Sequence, residues 1–103
     1  MVHPDDAEAF DWNYGNVEEL ARHSITPFEV EEVFANERSW MPNKRSGVGN
    51  WMMIGRTDGG RLITVVILFT EDNRTIRPIT GWDSDTGERT EFVKRRYHER
   101  ATD

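Results

Sequence analysis

The sequence predicts a single α+β domain, and three features of its 103 residues carry that reading. Apolar positions follow helical spacing from Tyr14 to Phe34, then change to strand-like runs between Arg38 and Thr80, and a helical pattern returns near the C-terminus. Glycine- and asparagine-containing turns at Asn43–Gly49 and Asp58–Gly60 join the runs as hairpins, and hairpins kept apart from helices define α+β architecture. The length suits one modest core.

The elements are read in order. Residues 1–9 are polar and acidic and are expected to form a flexible tail, with the domain spanning residues 10–100. Phe10 and Trp12 alternate as a short strand would. The first helix is expected from Tyr14 to Arg22, capped by Asn13 and ending near His23 or Ser24. In the second, Thr26 caps, Pro27 takes the first helical position and Glu29 completes a capping box, with Phe28, Val30, Val33 and Phe34 as the buried stripe.

Four strands follow, at Arg38–Pro42, Asn50–Thr57, Arg61–Phe69 and Arg74–Thr80. The third, almost continuously apolar and β-branched, is expected at the middle of the sheet. Pro78 cannot donate to a ladder, so an edge position or a bulge is expected around it. Asp83 to Gly87 reads as a loop, and the last helix is expected from about Glu88 to Arg100.

Composition narrows the function. The chain has no cysteine and only three scattered histidines, His3, His23 and His98, so neither a disulfide framework nor a thiolate metal site is expected, and no cofactor is implied. No stretch approaches a membrane span or a signal peptide, so a cytoplasmic protein without a membrane partner is expected. Net charge is −6, but residues 1–37 carry ten acidic side chains against the single basic Arg22, whereas residues 38–103 carry twelve basic against nine acidic. Such asymmetry either leaves a basic face for a polyanion on the later elements or merely solvates the surface.

Four groups of residues resemble a known family. Phe10-Asp11-Trp12-Asn13, Asn16, Ala21-Arg22-His23, Ile25-Thr26 and Phe28 to Phe34 are similar to the opening of BrnT toxins, which belong to the RelE-like ribonucleases. Ile54 to Leu62 with Val65-Val66 resembles the central hairpin, Arg74 to Arg77 with Ile79-Thr80 the last strand, and Lys94 to Tyr97 the basic closing helix. The resemblance is collinear over roughly residues 10–98. It differs at Arg22 for the family's lysine, Ser24 for glycine, Trp82 for arginine and Asn50 for a frequent glutamate.

The resemblance implies a RelE-like fold of two N-terminal helices, a mainly antiparallel four-stranded sheet and a C-terminal helix. It also implies a toxin role in a toxin–antitoxin pair, RNA as substrate, and neutralisation by a ribbon-helix-helix antitoxin, with a homo-oligomer or a toxin–antitoxin hetero-oligomer as the assembly.

Metal-independent RNA cleavage needs a base for the 2′-hydroxyl, cations for the phosphorane and an acid for the leaving oxygen. His23, Arg77 and Tyr97 are the candidate catalytic residues, and Arg22, Arg61, Lys94, Arg96 and Trp82 the candidate RNA contacts. An imidazole exchanges its proton near neutrality, which suits His23 to acid–base work, while a helix-capping histidine is the plainer alternative. The arginines offer planar forks to phosphate, although Arg61 also reads as a solvated turn cation. Tyr97 could donate a proton or stack on a base, or simply pack. The other reading of the chain is a catalytically inactive toxin-fold module that binds an antitoxin-like protein.

Overall fold

The computed structural model describes residues 2–44 and 47–102, with side chains as far as Arg96. Asparagine and threonine start the first two helices. For α1 (Tyr14–Ala21), Asn13 Oδ1 accepts from the Asn16 amide at 2.9 Å and the Asn13 amide donates to Asn16 Oδ1 at 2.9 Å. For α2 (Pro27–Ala35), Thr26 and Glu29 exchange the same pair of bonds at 3.2 and 3.0 Å. Each reciprocal cap satisfies two donors that a helix start leaves open.

The strands form one sheet. β1 (Ala9–Phe10), β2 (Arg38–Pro42), β3 (Trp51–Arg56), β4 (Leu62–Thr70) and β5 (Thr75–Asp83) lie in the order β1-β5-β4-β3-β2. β2 to β5 are an antiparallel meander, and β1 pairs parallel with β5, Ala9 opposite Thr75. The sheet thus has five strands where four were expected, and one pairing is parallel. The alternation of Phe10 and Trp12 suggests a short strand here, but the place of β1 in the sheet is fixed by distant carbonyls, the Asp11 amide donating to Ile76 O at 2.8 Å.

Residues 2–9, expected as a tail, lie against the domain, with Val2 and Ala7 packed on the core. Pro4–Asp6 makes one turn of 3-10 helix with Pro4 buried, and Asp5 Oδ1 accepts from Trp40 Nε1 at 2.6 Å and from Arg38 Nη2 at 2.8 Å. Its partners stand 33 and 35 residues away, beyond the reach of any local pattern.

β4 lies at the centre and is covered on both faces, which accounts for its unbroken apolar run. Alternate residues Ile63, Val65, Ile67 and Phe69 share one cluster with Leu20, Ile25, Val30 and Val33 of the α1–α2 layer. Leu62 faces the other way, packing with Ile54 and Phe92 of α3 (Thr86–Thr102). Period-2 alternation therefore feeds two cores from one strand.

Two glycines set the helix distances. A Cβ on Gly55 would lie 2.7 Å from Glu37 O and 2.9 Å from Val33 Cγ1, and one on Gly81 would lie 2.9 Å from Thr64 O and 3.2 Å from Leu20 Cδ2. At Pro78 the expected irregularity is a bulge: Val66 pairs with Thr80 and Ile67 with Pro78, which leaves Ile79 without an opposite residue. β1 ends before that point, so from Arg77 onward β5 has an open edge with which no described strand pairs. Among the described residues no helix is long and apolar enough to cross a membrane.

Candidate functional site

The open edge of β5 meets the end of α1. Glu19, in the last turns of α1, accepts a hydrogen bond from Thr80 Oγ1 at 2.8 Å, and its same Oε2 lies 3.3 Å from His23 Nε2. Donation by the Thr80 hydroxyl, with smaller contributions from His23 and Arg22, holds the Glu19 carboxyl below its ordinary range against the opposing effect of burial. The His23 side chain remains 39% exposed, so a ligand can reach it. Glu19 is thus a member of the cluster that the sequence reading missed. Its i,i+4 spacing to His23 was the available signal.

Arg77 lies on the same open edge, three residues before Thr80, which at strand rise is about 10 Å along the chain. Its Nε donates to Asp11 Oδ2 at 3.0 Å, and both side chains are well exposed. Arg22 points outward with 76% of its side chain exposed and an Nη1–Glu19 separation of 3.4 Å. His23, Arg22 and Arg77 therefore border one edge of the sheet.

Arg61 is used differently from expectation. Its guanidinium donates to Asp83 Oδ1 at 2.7 Å, Ser24 O at 2.6 Å, His23 O at 3.1 Å and Glu29 Oε2 at 3.4 Å. All of its nitrogens are turned toward protein, so it fastens the α1–α2 turn to the sheet, and it is not positioned as an RNA contact. Asp83 and Glu29 also raise its pKa above the ordinary arginine value. The turn it holds contains Ser24 at φ 58°, a left-handed conformation that favours glycine.

Trp82 is on the α3 face. Its Nε1 donates to Glu88 Oε1 at 2.9 Å, and the same buried carboxylate accepts from Thr64 Oγ1 at 2.9 Å and the Asp85 amide at 2.9 Å. The Glu88 amide returns a bond to Asp85 Oδ1 at 2.8 Å. This capping box starts α3 at Thr86, two residues before the expected start, and Asp85-x-x-Glu88 was its legible signal. Trp82 also lines, with Asn43, Val48, Val66, Ile79 and Thr80, an open hollow of about 260 Å³.

Asn50 has a structural partner. Its amide nitrogen donates to Phe69 O at 3.1 Å while its oxygen accepts from the Phe69 amide at 2.9 Å, so the side chain extends the β3–β4 ladder by one imitation peptide. A glutamate in its place could not donate.

Lys94 and Arg96 of α3 do not join His23 and Arg77. Arg96 lies beside β2, where its Nε is 3.5 Å from Glu37 Oε2 and its Nη1 donates to Arg38 O at 3.3 Å. Lys94 and Arg96 line a groove at that strand, on the opposite side of the sheet from β5. The reason is topological: α3 starts against β4 and β5 and runs across the sheet toward β2, carrying its cations away. The side chain of Tyr97 lies outside the described residues. Among the described residues no three histidine, aspartate or glutamate side chains gather as a metal site would require.

No protein-family model matches the chain, and no curated protein matches it.

Proposed function

We propose that the chain is a metal-independent endoribonuclease toxin of a toxin–antitoxin pair, cleaving RNA by attack of a 2′-hydroxyl on the adjacent phosphate. One observation carries this: an exposed imidazole, His23, hydrogen-bonded to the Glu19 carboxylate, which Thr80 fixes beside an open strand edge that also bears Arg77. The collinear resemblance of residues 10–98 to BrnT toxins of the RelE-like superfamily supports the same reading.

In this mechanism His23 takes the 2′-hydroxyl proton or supplies one to the leaving 5′-oxygen, and Glu19 orients the ring. Arg77, exchanging Asp11 for phosphate oxygens, stabilises the added charge of the phosphorane, and Arg22 guides the strand from its exposed position. The attack forms the 2′-O–P bond and breaks the P–O5′ bond, leaving a 2′,3′-cyclic phosphate and a 5′-hydroxyl. A ribbon-helix-helix antitoxin would neutralise it in the cytoplasm.

The test is incubation of purified protein with RNA and analysis of the ends. Cyclic phosphates that vanish in His23→Ala are expected, and unchanged cleavage by that variant rejects the assignment.

A specific observation favours a second reading, an inactive module that binds an antitoxin-like protein: Arg22, Arg61 and Arg77 each face a carboxylate of the chain itself. Growth arrest on expression, relieved by a co-expressed ribbon-helix-helix neighbour, supports the toxin. Harmless expression with a retained partner supports the module.

A further inference from the structure

β2 ends the sheet, and no described strand pairs with its outer side. The bond from Arg96 Nη1 to Arg38 O shows that the backbone groups of Arg38 point outward. Outward groups recur at every second residue of a strand, so the Trp40 N–H and C=O and the Pro42 C=O face the same way. Arg38 and Trp40 lie at the floor of a groove of about 700 Å³.

Its two walls come from opposite faces of the sheet. Trp40 pairs with Met53 on the α1–α2 side, and there His3 and Asp5 stand against the strand, the His3 ring 6.0 Å from that of Trp40. Ser39 pairs with Ile54 on the α3 side, where Glu91, Lys94, Arg95 and Arg96 form the other wall.

The chemistry of the lining is unlike that of the chain. Arg38, Lys94, Arg95 and Arg96 face the groove, with Arg38 paired to Asp5, Arg95 to Glu91 and Arg96 to Glu37, in a protein of net charge −6. Ser39 also lines it, only 3% exposed, and among the described residues its Oγ has no hydrogen-bond partner, although a buried hydroxyl normally has one.

We propose that this groove receives an extended acidic segment of a protein partner, which adds as a sixth strand on β2. An added strand supplies main-chain hydrogen bonds to the Trp40 edge, and alternate carboxylates meet the α3 wall. Arg96 then releases the Arg38 carbonyl to the incoming amide. A nucleic-acid strand has no amide ladder to match this floor. A second copy of the chain would oppose two cationic walls. The proposal concerns the β2 edge alone and stands whether or not the β5 edge cleaves RNA.

The test uses the whole chain and a terminally blocked peptide of alternating glutamate and valine, followed by tryptophan emission and amide exchange. Saturable binding that slows exchange at Trp40 is expected. It should weaken about tenfold or more in a Lys94→Glu, Arg95→Glu double variant, since both changes put like charges against the peptide. A peptide N-methylated at alternate positions should not bind. The idea is overturned by any of three results: no saturable binding at millimolar peptide, equal binding of the N-methylated or a lysine–valine peptide, or displacement by single-stranded RNA at lower concentration than the free peptide.

Discussion

Arg61 Nη1 lies 2.6 Å from the carbonyl oxygen of Ser24, joining the start of the central strand to the turn between the first two helices. The turn carries His23, so the position of the imidazole depends on a cation 38 residues further along the chain.

Arg61→Ala is expected to destabilise the fold by about 2 kcal/mol, the range for losing charge-assisted hydrogen bonds at a half-buried position. Arg61→Lys should recover little of this, because one ammonium cannot reach the two carbonyls and two carboxylates that the guanidinium spans. Denaturant midpoints of the three proteins provide the comparison.

Ser24→Gly is expected to stabilise by about 0.5–1 kcal/mol. A non-glycine residue in the left-handed region costs roughly 1–2 kcal/mol, from which the greater unfolded-chain freedom of glycine subtracts part. A rise in thermal midpoint shows the gain, and a fall would mean that the serine side chain contributes more than its backbone costs.

Glu19 gives the fold an acid-side pH dependence. Its carboxyl is held below the ordinary range in the folded chain, so folding favours the ionised form. That stabilisation is complete above the unfolded-state value of about 4.3 and is lost as pH falls through the lower folded value. Glu19→Gln should flatten the stability profile in that window and leave the neutral-pH slope unaltered, as chemical denaturation at stepped pH will show.

Asn50→Asp is expected to cost about 1–2 kcal/mol, since a carboxylate can still accept from the Phe69 amide but leaves the Phe69 carbonyl without its donor. Faster amide exchange at Phe69 should accompany the lower denaturant midpoint.

Local chemistry made much of this fold legible. Asn13, Thr26 and Pro27 announced two helix starts, and the β-branched run at 62–69 announced a central strand, because caps and alternation are written within a few residues. Asp85 and Glu88 carried the same signal as Thr26 and Glu29, yet the surrounding loop-like residues concealed it. What stayed hidden depends on long-range partners: Asp5 on Trp40, Ala9 on Thr75, Arg61 on the helix turn. The site divides in the same way. His23 and Arg77 stood out by residue type, but Thr80 joined them only through folding, and the direction in which α3 crosses the sheet separated Lys94 and Arg96 from them.

The hydrogen atom that serves as the side chain of residue 81 governs more than packing. Thr64 and Leu20 already occupy the space a methyl group would take, so enlarging this position would lift the first helix off its strand. Glu19 would then be drawn away from Thr80, and the imidazole would lose its alignment with no polar atom altered. The most sensitive adjustment of the β5 edge therefore lies in an apolar spacer beneath it.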